Sequence, residues 1–81
     1  MDIPLGDRLH LARRKRRISQ TKLAELAGIP NSNISQIETG QRTNITIDTL
    51  LKLAHALSVS TDYLLGLKED MELELLGAEA A

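Results

Sequence analysis

The sequence predicts an all-α fold, a compact five-helix bundle, and three observations carry that expectation. Apolar residues recur at helical spacing in five separate stretches. Ser, Thr or Pro stands at the head of these stretches, and glycine closes several of them. No segment alternates with a period of two, and "ITI" at 45–47 is too short to change the class.

Pro4 opens helix 1, in which Leu5, Leu9 and Ala12 fall on one stripe, and the helix ends near Arg17. Ser19 is a good N-cap for helix 2, whose expected buried face is Leu23, Ala24, Leu26 and Ala27. Gly28 then reads as the residue with positive φ that ends it. Helix 3 starts at Pro30 or Asn31, has Ile34 and Ile37 as its apolar edge, and stops at Gly40. A polar loop, "QRTNIT", covers 41–46. Helix 4 spans roughly 47–57 behind Thr46, with Leu50, Leu51, Leu53, Ala54 and Leu57 as its core face. Helix 5 is the short "STDYLLG", capped by Ser60 or Thr61 and stopped by Gly66. The stretch after it, "LKEDMELELLGAEAA", reads either as a frayed acidic tail or as a short helix that packs on a partner subunit.

Eighty-one residues make one domain, here divided into a bundle over 1–67 and a tail over 68–81. A chain of this size buries only roughly 60% of its unfolded surface, so its core is small. Absence of cysteine removes a disulfide framework and any thiolate zinc site. No apolar run is long enough to span a membrane, and the first ten residues lack the pattern of a secretory signal. Tyr63 is the only aromatic residue. The core is therefore aliphatic, and a stacking platform for single-stranded nucleic acid is excluded. The net charge of −1 conceals a division: residues 1–67 carry nine basic and six acidic groups, residues 68–81 one basic and five acidic.

Helix 3 concentrates the functional signal. With residues placed every 100° around its axis, Ile34 and Ile37 define the inward direction. Ser32 and Gln36 point nearly opposite, Ser35 and Thr39 flank them, and Asn31 and Asn33 sit toward the N-terminal end. Three of the six residues 31–36 are amides, and within helix 3 no acidic residue precedes Glu38. Asn and Gln make paired bonds to adenine in the major groove, and Ser serves several bases. Ser19 and Gln20 begin helix 2, where free backbone N–H groups favour a phosphate. A short Gly-containing turn between helices 2 and 3 sets the steep angle such a pair needs.

The run "ISQTKLAELAGIPNSNISQIETGQR", followed by "TIDTLLKLAHALSVSTDYLLG", resembles the lambda-repressor-like, Cro-type (Xre-like) helix-turn-helix family over about residues 5–66. The resemblance implies a bundle that binds duplex DNA, usually as a dimer on a palindromic operator, with the second helix of the motif in the major groove. It marks Asn31, Ser32, Asn33 and Gln36 as base-reading positions and Gln20 as a phosphate contact. Arg42 and Asn44 fall where the family touches the DNA backbone, and Ser19, Ser35 and Arg17 complete the phosphate candidates. Arg13 and Glu38 resemble a partly buried ion pair joining helices 1 and 3. Three departures stand out: Arg17 where the family often has Gly, Pro30 in place of a Ser or Thr cap, and a longer 41–46 loop.

The remaining features read more plainly. The basic run at 13–17 mixes an inward Arg13 with a positive field from Arg14, Lys15, Arg16 and Arg17. His10 and His55 are isolated, solvated histidines without metal-ligand spacing. No phosphate-binding glycine loop, nucleophile elbow or carboxylate pair stands out, so no enzyme, cofactor, metal or small-molecule ligand is expected. The expectation is a cytoplasmic, nucleoid-associated transcriptional regulator, a repressor, acting as a homodimer through Tyr63, Leu64, Leu67, Met71 and Leu75. The rival is a protein-interaction module on the same fold, an antitoxin or adaptor.

Overall fold

The computed structural model describes residues 4–69, in which five helices follow one another: α1 (Leu5–Lys15), α2 (Gln20–Ala27), α3 (Asn31–Glu38), α4 (Ile47–Leu57) and α5 (Thr61–Leu65). The polar residues at the helix heads do the capping that the sequence assigns them. Ser19 Oγ accepts from the Lys22 N–H at 3.0 Å, Thr46 Oγ1 from the Thr49 N–H at 3.1 Å, and Ser60 Oγ from the Tyr63 N–H at 3.0 Å. The choice at α5 therefore falls on Ser60. Pro30 heads α3 with no side-chain cap bond; its fixed φ of −62° suits the extended residue before the first turn.

The helices wrap one aliphatic core. α2 packs on α3 and α4, α1 packs on α3 and α5, and α4 packs on α5. Leu9, Leu23, Ile34, Ile37, Leu53 and Leu57 lie at its centre. Two expected core residues lie outside it: Leu26 and Leu51 are 53% and 54% exposed. Each sits on the shoulder of its helix, where a stripe wide enough to include it exceeds the width of the neighbouring helices.

The reverse correction applies to α5. Tyr63 and Leu64, expected on a dimer surface, are core residues at 4% and 1% exposure. Leu67 is exposed, as that expectation requires, whereas Met71 and Leu75 lie outside the described residues.

Arg8 explains why Tyr63 turns inward. Among the described residues it is the one charged residue that is buried, and it lies on the same stripe as Leu5, Leu9 and Ala12. Its guanidinium stacks 5.1 Å from the centre of the Tyr63 ring. Nη1 donates to the Tyr63 and Lys68 carbonyls, both at 3.2 Å, and Nη2 reaches Glu69 Oε2 at 3.4 Å. A buried cation is tolerable only with such a set of acceptors. The result fastens α5 and the residues after it to α1.

The α1–α2 turn carries the departure seen in the sequence. Arg17 stands at φ 59°, in the left-handed region that favours glycine. Arg17→Gly removes that cost but gives the unfolded chain more freedom, so a net gain of about 0.5 kcal/mol is expected. Thermal unfolding checks this, and a lower midpoint would show that the Arg17 side chain contributes more than its backbone loses.

Candidate nucleic-acid interface

α3 is moored on one side and open on the other. Ile34 and Ile37 are buried, while Asn31 and Ser32 are exposed and Asn33, Ser35 and Gln36 half-buried. The outward edge anticipated from the sequence is therefore present. At its start, Asn31 Nδ2 donates to Thr21 Oγ1 at 3.3 Å, a light tie between α3 and α2.

The angle between these helices is held by Glu38, the last residue of α3. Arg13 donates twice to its carboxylate, Nε to Oε2 at 2.7 Å and Nη2 to Oε1 at 3.1 Å. Arg13 Nη1 also donates to the Ile18 carbonyl at 2.9 Å, which brings in the α1–α2 turn. Gln20 Nε2, from the first residue of α2, donates to Oε1 at 3.1 Å. His10 Nδ1 lies 3.1 Å from the same oxygen, so His10 belongs to this cluster and is not an isolated histidine. Both ends of the Arg13–Glu38 pair are shielded, with side chains 11% and 5% exposed. Burial pushes the Glu38 carboxyl up, but the hydrogen bonds from Arg13, Gln20 and His10 and the Arg13 charge outweigh it and hold the group below its ordinary range.

This cluster also defines what Gln20 has left to offer. One amide hydrogen goes to Glu38, which leaves the other beside the N-terminus of α2. Ser19 Oγ is already an acceptor for the Lys22 N–H, so its hydroxyl hydrogen is what a phosphate would meet.

Beyond α3 the chain folds back on itself. The Arg42 N–H donates to the Gln36 carbonyl at 3.0 Å, and the Arg42 guanidinium grips the Gln36 side-chain oxygen. Gln36, Gln41, Arg42, Thr43 and Asn44 line a shallow polar cleft there. Arg42 and Asn44, both exposed, thus stand next to the outward edge of α3.

The basic run divides more sharply than its composition suggests. Arg13 belongs to Glu38. Arg16 caps the far end of α4, with Nε donating to the Leu57 carbonyl at 2.6 Å and Nη2 to that of Ser58 at 2.9 Å. Arg14, Lys15 and Arg17 remain exposed cations. Among the described residues no cluster of three or more acidic or histidine side chains is fit to hold a metal, and no helix is long and apolar enough to cross a membrane.

This geometry matches known proteins. A helix-turn-helix family model matches residues 9–64, more than half of the chain. The chain belongs to the lambda-repressor-like helix-turn-helix family. Within the family it is 49% identical over 65 residues to the HTH-type transcriptional regulator ImmR of Bacillus subtilis, covering 80% of this chain and 50% of ImmR. It is 36% identical over 70 residues to the regulator SinR of Bacillus licheniformis, covering 86% of this chain and 63% of SinR. The chain thus spans half to less than two thirds of the curated relatives it matches. Two solved family members superpose with a TM-score of 0.74: SinR in complex with DNA, 38% identical, covering 75% of this chain and 97% of that one, and the P22 c2 repressor with a synthetic operator, 35% identical, covering 82% and 98%. These relatives are regulators and repressors, in keeping with the expectation that the chain is not an enzyme.

Proposed function

We propose that this chain is the operator-binding part of a transcriptional repressor, reading duplex DNA with α3 in the major groove. The observation that carries the reading is the two-sided character of α3. Ile34 and Ile37 fix one edge in the core, and Asn31, Ser32 and Gln36 are offered on the other. An α-helix fits the major groove, and these side chains suit base edges. Relatives with this fold, SinR and the P22 c2 repressor, have been solved on DNA.

In this reading Asn31, Ser32, Asn33 and Gln36 select the sequence. Gln20, Ser19, Ser35, Arg17, Arg42 and Asn44 hold phosphates and set the register. The operator is palindromic and bound by a homodimer, for which exposed Leu65 and Leu67 are the described apolar candidates. A cytoplasmic, nucleoid-associated location follows from the same reading.

Selection of bound duplexes from a random pool tests the function, followed by titration at several salt concentrations. A steep fall of affinity with salt is expected, because released counterions drive binding. Gln36→Ala is expected to cost about 1–3 kcal/mol on the selected duplex and to relax preference at one or two base pairs. Gln20→Ala should weaken all duplexes alike. Equal losses on all sequences for Gln36→Ala would contradict its reading role, and salt-insensitive binding would favour a protein partner.

A further inference from the structure

The contact between Arg42 and Gln36 bears on which base is read. Arg42 Nε and Nη2 both donate to Gln36 Oε1, at 3.1 and 2.8 Å. A guanidinium has only donors, so the atom of the amide that faces it is necessarily the oxygen. The Arg42 N–H bond to the Gln36 carbonyl holds the loop in the register this grip requires. With Oε1 engaged by two donors, the NH₂ group is what the Gln36 side chain has left to offer, and no described residue bonds that nitrogen.

A free glutamine reads adenine by accepting from N6 and donating to N7. Gln36 held in this way lacks the accepting half of that pair. The hydrogens that Arg42 has left are donors like the amide NH₂, so the two side chains together offer donors alone. Guanine answers such an array with two acceptors, O6 and N7, and thymine with one, O4. Adenine N6 and cytosine N4 are donors and oppose it.

We infer that Arg42 is a positioning residue that makes Gln36 a donor-only reader, so that Gln36 selects guanine over adenine at its base pair. The inference rests on the proposed DNA-binding function. It assigns Arg42 a role in selectivity beyond a phosphate contact.

The test uses the 81-residue chain and the four duplexes that differ only at the position whose preference Gln36→Ala abolishes. The wild type should bind the guanine duplex about tenfold tighter than the adenine duplex. Arg42→Met keeps the aliphatic stem but removes the donors, and should bring adenine to parity or better. Arg42→Lys, still a donor and still charged, should keep guanine ahead. In a Gln36→Ala background, Arg42→Met should leave the base preference unchanged. Thermal melts confirm that each variant is folded; Arg42 is exposed, so all should be. If Arg42→Met weakens all four duplexes equally, or if the wild type prefers adenine, the inference is overturned while the DNA-binding function stands. If the wild type binds no duplex from the pool, the proposed function itself fails.

Discussion

Replacing Gly6 by alanine is expected to destabilise the fold by about 3 kcal/mol. Gly6 lies where α1 crosses the end of α3. A Cβ added there would overlap the Ile37 carbonyl oxygen and come within 2.9 Å of the Glu38 carbonyl oxygen. Both are backbone atoms of a hydrogen-bonded helix end, so no rotamer change relieves the clash. α1 and α3 must separate, which opens the core around Leu9 and Ile37 and loosens the Glu38 cluster beside them. Small domains have about 5 kcal/mol or little more to lose. The midpoint of thermal unfolding should therefore fall by roughly 15 °C. A fall of only a few degrees would show that the two helices part at little cost. Because α3 carries the proposed reading edge, DNA affinity should drop even at temperatures where the variant is still folded.

Glu38→Ala is expected to cost about 2–4 kcal/mol, since it leaves the shielded Arg13 guanidinium without its carboxylate and removes an acceptor from Gln20 and His10. Arg13 keeps the Ile18 carbonyl, which limits the loss. Replacing both partners, as in Arg13→Met with Glu38→Leu, should recover much of the stability, because no charge is then stranded. Urea unfolding of the two single variants and the double variant measures this. Additive losses in the double variant would mean that the pair does not act as a unit.

The same carboxylate sets an acid limit. Its folded-state pKa lies below the ordinary value of 4.5. Its contribution is therefore fully present above about pH 4.5 and disappears as the pH falls through the lower, folded-state value. Glu38→Gln should flatten this part of the stability profile. An unchanged acid slope in that variant would assign the sensitivity to other carboxylates.

Much of this fold is written in local patterns. Ser19, Thr46 and Ser60 announce helix starts, and Gly28, Gly40 and Gly66 take the positive φ values of 72°, 87° and 85° that their positions demand. The Ile34–Ile37 edge of α3 needed only helical spacing. What stayed hidden depends on which neighbour a face meets. Gly6, His10 and Arg13 share a second stripe of α1, but only the approach of α3 shows that the first must lack a side chain. Arg8 occupies a core stripe, which its charge tolerates only because acceptors from α5 and beyond surround it, and those are remote in the sequence. Tyr63 and Leu64 sit in a helix of five residues, too short for periodicity to distinguish inside from outside. At the candidate site, the outward polar edge of α3 and the Arg13–Glu38 pair were legible. The grip of Arg42 on Gln36 was not, since it depends on how the 41–46 loop folds back.

The seam between Arg8 and Tyr63 equips the molecule with a single optical reporter. There is no tryptophan or phenylalanine, so every near-ultraviolet signal originates at one ring, beneath one guanidinium. Burial raises the Tyr63 hydroxyl above its ordinary 10.0 against the pull of the Arg8 charge. Phenolate absorbance should accordingly emerge at higher pH than in the unfolded chain, and tyrosine emission should register the parting of α1 from α5 without any dye or label.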